Sequence, residues 1–416
     1  MILPRQKIYK FDFILLIKSL LCLDFFKNTN LLQNKLEIKI SKFIKIRFCT
    51  IVPRGRVGLK IILNLIKKKN FNKNYILMSP FTIFDVVNMV ISENLKPKFL
   101  DINKSDYSLN LNDLKKKINK KTLAVILTHY HIEPIEYKKI VNYCSKKDIF
   151  LIEDRAIAFR KSKKKEKLNQ KHFIFFSFSP FKFISTINLG VVATNNKILH
   201  SQIIKYKKKF YNNNIFYITK RIFFTLKYYF ASRNLIFFIL FHFIKLSEIF
   251  NISNFKNLLK NDPNPEKYLN KYEDNYFVKI SSYQLKSASD QIDFKTNKNH
   301  LERQKKAKIY SHNLSNVKNV FFKEYSSHFE DCYLSFPILC KSRDKLYKYL
   351  LKNNLDTSKY FYRDCNRLKI FKKFKSKCPN VKYVSDHILL LPLYPNYPEH
   401  NIRLICKKIT EFYNHN

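Results

Sequence analysis

Between residues 46 and 196, short apolar runs alternate with longer stretches in which apolar residues recur three and four positions apart. Nothing else in the chain restricts its fold as strongly. Tyr75–Met78 and residues 97–100, 123–128 and 149–152 read as buried strands, and residues 84–94, 111–118 and 137–147 read as the helices between them. Strands alternating with helices at this spacing build βαβ units, and these give an α/β fold with a mostly parallel sheet flanked by helices. Ligands of such sheets sit beyond the carboxyl ends of the strands, so the residues that follow each strand matter most.

The chain has 416 residues and a formal charge of +48, from 79 Lys and Arg against 31 Asp and Glu. Apolar residues at 46% supply a large core and exclude an extended disordered chain. Trp is absent and Gly occurs only three times, while Lys, Asn, Ile and Phe abound, as in an A+T-rich coding sequence. The basic residues are scattered rather than gathered into one arm or stripe, which argues against nucleic acid as the main partner. A general attraction to acidic ligands and membrane surfaces remains. Eight cysteines form no Cys-x-x-Cys pair, and no His cluster stands at metal-ligand spacing, so free thiols in a reducing compartment and no metal are expected. Asp12 and Lys18 interrupt the first apolar run, unlike a secretory signal, and a cytoplasmic location is the expectation.

Three regions follow from these patterns. Residues 1–45 form a basic, partly helical lead-in, with 11–26 as an amphipathic candidate; residues 46–260 form the large unit; residues 261–416 form a smaller α/β unit. The breaker Asp262-Pro263-Asn264-Pro265 marks the linker. Beyond it, residues 281–291, 301–315 and 401–413 read as helices, and 333–339 and 387–391 as strands. The segment 200–260 is an apolar helical insertion, and within it residues 235–241 are an unbroken apolar heptapeptide. The first reading of 221–245 is an aromatic-rich helix pair buried in a subunit interface. Peripheral membrane contact between Lys-rich flanks stays open, as does a span, although Lys227, Arg233 and His242 interrupt the roughly 20 apolar residues a span needs.

In a chain this poor in glycine, Gly55, Gly58 and Gly190 are candidates for positive φ or for close approach of backbone to a ligand. Gly55 and Gly58 lie in Pro53-Arg54-Gly55-Arg56-Val57-Gly58-Leu59, which opens a helix over 59–68. A glycine turn feeding a helix N-terminus suits a phosphate, with Arg56 able to add a charged contact; a plain helix start explains it equally well. After the strand at 150–152 comes Glu153-Asp154-Arg155-Ala156-Ile157. Asp154 there is either a carboxylate meeting something cationic, on one side with Ala156 if the strand continues, or a helix N-cap. Finally, Lys182 sits among Phe176, Phe178, Phe181 and Phe183 after Ser177-Phe178-Ser179-Pro180. It is either a partly desolvated, nucleophilic amine or one of many lysines reaching out from an apolar patch.

In this order the three elements resemble fold-type-I pyridoxal-phosphate (PLP) enzymes. More narrowly, they are similar to the DegT/DnrJ/StrS family of sugar-nucleotide aminotransferases, which reads Gly-x-x-Ala-Leu, Glu-Asp-Ala-Ala-Gln and Ser-Phe-x-Pro-x-Lys followed by Gly-Gly. Lys96-Pro97-Lys98-Phe99-Leu100-Asp101-Ile102, His129, Gln284 and Leu390-Leu391-Pro392-Leu393 fit the same resemblance, which covers 46–200 well and 275–413 loosely. It implies a large PLP-binding domain with a smaller C-terminal α/β domain, and a homodimer with active sites at the subunit interface.

The resemblance also assigns roles. Lys182 would bond to PLP as a Schiff base and move the proton between the amino donor and the cofactor. Asp154 would pair with the pyridinium nitrogen, Ala156 would pack on a ring face, and Ser177 with the N–H groups of Gly55 and Arg56 would hold the phosphate. Ile83 stands at the ring-stacking position, near Phe81 and Phe84. Three departures stand out: Ile157 replaces the family's Gln, Ile132 replaces a Gly, and Gly-Gly is reduced to Leu189-Gly190. The implied activity is amino transfer, from glutamate onto a nucleotide-linked keto-sugar for polysaccharide or glycan synthesis. Lys182 argues against a sugar-dehydrating relative, which tends to carry His there. A catalytically altered scaffold or sensor at a membrane is the alternative that the departures favour.

Overall fold

The computed structural model describes residues 2–8, 11–21, 29–68, 70–164, 168–208, 215–250, 277–292, 294–323, 331–359 and 363–415. The linker at 262–265 and Cys22 lie outside them. Seven strands form the central sheet: β1 (Phe48–Val52), β2 (Tyr75–Met78), β4 (Lys96–Phe99), β5 (Thr122–Thr128), β6 (Phe150–Asp154), β7 (His172–Ser177) and β8 (Gly190–Thr194), in the order β1-β8-β7-β6-β5-β2-β4. The short β3 (Phe81–Thr82) lies apart and pairs with Arg363–Asp364. β2, β4, β5, β6 and β7 run parallel, and β8 runs against both of its neighbours. Lead-in helices α1 (Phe13–Leu21) and α2 (Asn30–Ile44) precede β1. α3 (Gly55–Lys68), α4 (Phe84–Ser92), α5 (Leu111–Lys117) and α6 (Tyr137–Lys146) follow, then α7 (Lys197–Lys207), α8 (Ile215–Ala231) and α9 (Asn234–Ile249).

The strands read as continuous apolar runs because both faces of the sheet are covered. Alternate residues go to different cores: Ile126, Ile152, Phe173, Phe175 and Val192 pack on the α3 face, whereas Leu127, Leu151, Ile174, Phe176 and Val191 pack on the other. That period of two fixes which side each functional residue takes. Asp154 and Ser177 share the parity of Ile152 and Phe175, and so face α3; Glu153 and His172 face away.

The structure corrects several expectations. β6 runs on to Asp154, so this carboxylate ends the strand instead of following it. β1, β7 and β8 go beyond the strands legible in sequence; Arg47 before β1, the serines after Phe176 and the glycine opening β8 blur their pattern. The C-terminal strands are Phe336–Cys340 and Ile388–Leu391, shorter than read, and a helix at Pro379–His387 takes up the residues before the second. The remaining C-terminal α-helices described are Ser282–Ser289, Phe294–Leu314, Arg343–Lys352 and Glu399–Asn414. The lead-in is tied to the C-terminal half: Arg5 pairs with the buried Asp356 at 3.0 Å, and Thr29 donates to the Ile280 carbonyl at 3.3 Å.

None of the three glycines has positive φ; each is a point of close approach, and all three meet at one place. A Cβ on Gly55 would sit 3.0 Å from the Phe176 carbonyl oxygen and 3.2 Å from Ser177 Cβ. One on Gly190 would sit 2.3 Å from the Arg54 carbonyl carbon and 2.4 Å from the Gly55 nitrogen. One on Gly58 would meet side chains instead of backbone, Val192 Cγ2 at 2.7 Å and Val52 Cγ2 at 3.4 Å. The N-terminus of α3 is thereby pressed onto the ends of β7 and β8. Gly190→Ala must push backbone off backbone and is expected to cost about 3 kcal/mol. In Gly58→Ala a valine methyl can shift, and roughly 1 kcal/mol of helix propensity offsets the crowding. Denaturant titration of the two variants checks this, and equal losses would contradict it.

Candidate active site

Gly55 and Arg56 open the first turn of α3, ahead of Gly58, whose N–H bonds the Arg54 carbonyl at 3.1 Å. Ser177 stands against Gly55, and its hydroxyl is 3.1 Å from that of Ser179. Two hydroxyls and a helix N-terminus thus face one small space, a combination suited to a phosphate. Ser179 is a residue the sequence reading missed, although its place in Ser-x-Ser-Pro pointed to it. The Arg56 guanidinium is held by Asp85 of α4 at 2.5 Å, so what Arg56 offers an anion is its N–H rather than its side chain.

At the end of β6 the chain turns instead of continuing extended. The Ala158 N–H bonds the Arg155 carbonyl at 3.1 Å, and the Ala156 N–H donates to Asp154 Oδ1 at 3.0 Å. No helix begins there, so the N-cap reading fails. Asp154 is buried, which raises its pKa to about 6 against the opposing pull of the Ala156 N–H and the positive fields of Lys182 and His129. Ala156 is half-buried, and Ile157 turns into the core beside Phe178 and Phe183.

Lys182 sits on a tightly folded loop. Its N–H bonds the Ser179 carbonyl at 3.2 Å, its own carbonyl accepts from Ser185 Oγ at 3.1 Å, and Gln291 bonds both the N–H and the carbonyl of Ser185 at 3.0 Å. Phe181, just before it, is held at φ 68°, a left-handed conformation costly for an aromatic residue. Its ring meets Tyr228 of α8 edge-on at 5.5 Å. Burial lowers the Lys182 amine to about pH 8; Asp154 pulls it upward and Arg56 lowers it further. Lys182 therefore lies within the fields of both Asp154 and Arg56.

That depression sets a testable proton affinity. In the cofactor-free protein, labelling of Lys182 by an amine-directed reagent, followed by peptide mass, is expected to be half-maximal near pH 8 instead of 10.5. A midpoint with the surface lysines would contradict the desolvated site.

Other buried groups frame the site. His131 accepts the N–H groups of Leu334 and Ser335 at 3.2 and 3.3 Å, and burial with the charges of Lys182 and Arg303 keeps it neutral, at about pH 3. On the opposite face Glu153 is fully buried and meets His129 Nε2 at 2.6 Å, His172 Nε2 at 2.5 Å, Arg155 Nε at 2.8 Å and the Tyr137 hydroxyl at 2.9 Å. Burial alone would raise its pKa, but Arg155, His172 and His129 hold it well below the ordinary carboxylate range. This hub anchors the strand that carries Asp154, and sequence spacing gave no sign of it, because its members come from β6, β7 and α6 and from the residues that follow β5 and β6. Ile83 is half-buried at the N-cap of α4, two residues before Asp85.

Residues 15–218 and 288–410 match the sequence pattern of the DegT/DnrJ/EryC1/StrS aminotransferase family. An uncharacterised protein of Methanocaldococcus jannaschii is 23% identical over 383 residues, 88% of this chain and 86% of its own. GDP-perosamine synthase of Vibrio cholerae is 25% identical over 177 residues, and the match spans 42% of this chain and 48%, about half, of that enzyme. Helicobacter pylori PseC, an aminotransferase involved in the biosynthesis of pseudoaminic acid, superposes over 100% of both chains with a TM-score of 0.71 at 13% identity. Bacillus subtilis NtdA, solved with bound cofactor PMP, gives 0.71 over 96% of this chain and 81% of its own at 15% identity. A pattern matched over most of the sequence, on a fold shared from end to end, makes this chain a member of the DegT/DnrJ/EryC1/StrS aminotransferase family of PLP-dependent enzymes.

Proposed function

We propose that the protein moves an amino group from glutamate onto a keto-sugar carried by a nucleotide, as a cytoplasmic homodimer serving polysaccharide or glycan synthesis. The observation that carries this is the mutual field of Lys182 and Asp154 beside the N-terminus of α3 and the paired Ser177 and Ser179 hydroxyls. GDP-perosamine synthase and the transaminases of UDP- and dTDP-linked amino sugars among the relatives support a nucleotide-sugar acceptor.

The residues fit PLP. Asp154, pushed up to about 6, lacks full charge compensation, and a protonated ring nitrogen is the kind of cation that would supply it. The start of α3 packs against Ser177, whose hydroxyl lies 3.1 Å from that of Ser179, and these donors would suit the phosphate. When bound, PLP supplies an electron sink for the bond-breaking at the donor's Cα. Lys182, with its proton affinity lowered by burial, would be the residue that attaches the cofactor and carries the proton at the donor's Cα. Asp154 would pair with the ring nitrogen, the Gly55 and Arg56 N–H groups with Ser177 would take the phosphate, and Ala156 and Ile83 would be the residues beside the ring. In this reading residues 46–260 are the cofactor-binding unit, 261–416 the smaller partner, and α8–α9 an attachment surface outside the chemistry.

The test is a single turnover with glutamate. Protein loaded with PLP and mixed with glutamate alone should yield pyridoxamine phosphate and 2-oxoglutarate in equal amounts, quantified by chromatography. PLP that remains unchanged, with no oxoacid formed from glutamate, would count against the donor assignment.

A further inference from the structure

We propose that α8 and α9 seat the enzyme on an anionic bilayer surface. No single described helix is long and apolar enough to cross a membrane, but these two pass that test together while bent by 87° at a short break. The outer stripe of α8 alternates Phe216, Lys220, Phe223, Lys227 and Phe230 at spacings of four and three, and all five are exposed. α9 is apolar on both sides. Phe237, Phe241 and Ile244 pack into the protein core, whereas Leu235, Phe238, Ile239, Phe243 and Leu246 face outward at 49–85% exposure. A helix apolar all round is a buried helix or a lipid-facing one. Leu16 of α1 shares a buried cluster with Ile222 of α8, the ring of Phe11 just before α1 lies 4.9 Å from that of Tyr229, and α1 adds exposed Phe13, Ile14 and Ile17.

Charge chooses the occupant. From residue 215 to 247 there is no acidic side chain, and Lys220, Arg221, Lys227, Arg233 and Lys245 lie among the aromatic residues. A second copy docking through this face would set these cations against themselves, because a two-fold interface is self-complementary. Anionic lipid headgroups meet the exposed Lys220 and Lys227 instead, while phenylalanine rings sink to the acyl boundary, each lysine near the surface strengthening attachment roughly fivefold.

The chain's lack of tryptophan provides a site-specific probe. In the PLP-loaded full chain, Phe238→Trp reports from α9, and Phe71→Trp, at a position 87% exposed in a loop between α3 and β2, serves as the control. With vesicles of phosphatidylglycerol and phosphatidylcholine carrying brominated acyl chains, Phe238→Trp emission should shift to the blue and be quenched, while Phe71→Trp emission should not. Adding Lys220→Glu and Lys227→Glu should weaken that binding by at least about tenfold. Three results would overturn the proposal: no quenching at Phe238→Trp, equal quenching at both positions, or a lipid-independent blue shift of Phe238→Trp that grows with protein concentration. The last would make the face a contact between copies.

Discussion

Lys182→Ala is expected to lower the turnover number for amino transfer by a factor on the order of ten thousand, because it removes both the attachment point and the proton carrier. Affinity for the phosphate end of the cofactor should persist, since the α3 N-terminus and Ser177 are untouched. A variant within tenfold of the parent would show that another base does the work. A stability signature accompanies the loss. The Lys182 pKa is lowered on folding, from 10.5 to about 8, so its charged form opposes folding fully below pH 8 and ceases to do so as pH rises towards 10.5. Lys182→Met should therefore stabilise the cofactor-free protein at neutral pH, and the gain should fade across that window. Denaturant midpoints at pH 7 and pH 10 read this directly.

Asp154→Asn comes next in size. The amide is close in shape but carries no charge for a ring nitrogen, and the loss of one preorganised electrostatic partner is worth about a hundred- to a thousandfold in kcat/KM. The same change acts on the lysine. Asp154 raises the proton affinity of Lys182, so removing its charge should move the labelling midpoint of the amine below pH 8. A purely structural role for Asp154 would reduce activity through misfolding and leave that midpoint in place, so the two readouts separate the explanations.

Much of this was legible in the sequence, and for identifiable reasons. The helices and the parallel strands β2, β5 and β6 showed through because burial on both faces leaves unbroken apolar runs between amphipathic stretches. Lys182, Asp154 and Ser177 stand out by their order along the chain, and Lys182 and Asp154 lie in each other's fields. The glycines were the right residues with part of the wrong reason: none adopts positive φ, and all three serve the approach of α3 to β7 and β8. Arg56 was legible as a cation, but its engagement with Asp85 depends on a helix some thirty residues on. The Glu153 hub was illegible because buried charge networks are assembled by tertiary packing, with no local spacing to betray them. The exposed apolar arc of α9 was visible as hydrophobicity, yet only the fold reveals which half of it the protein covers.

The central claim is that one lysine among many meets the cofactor. Reduction of the PLP-loaded protein with borohydride, followed by peptide mapping, reads this directly. A pyridoxyl group fixed on the peptide bearing Lys182, and lost in Lys182→Ala, is the predicted result; a label spread over surface lysines, with none at 182, would contradict it.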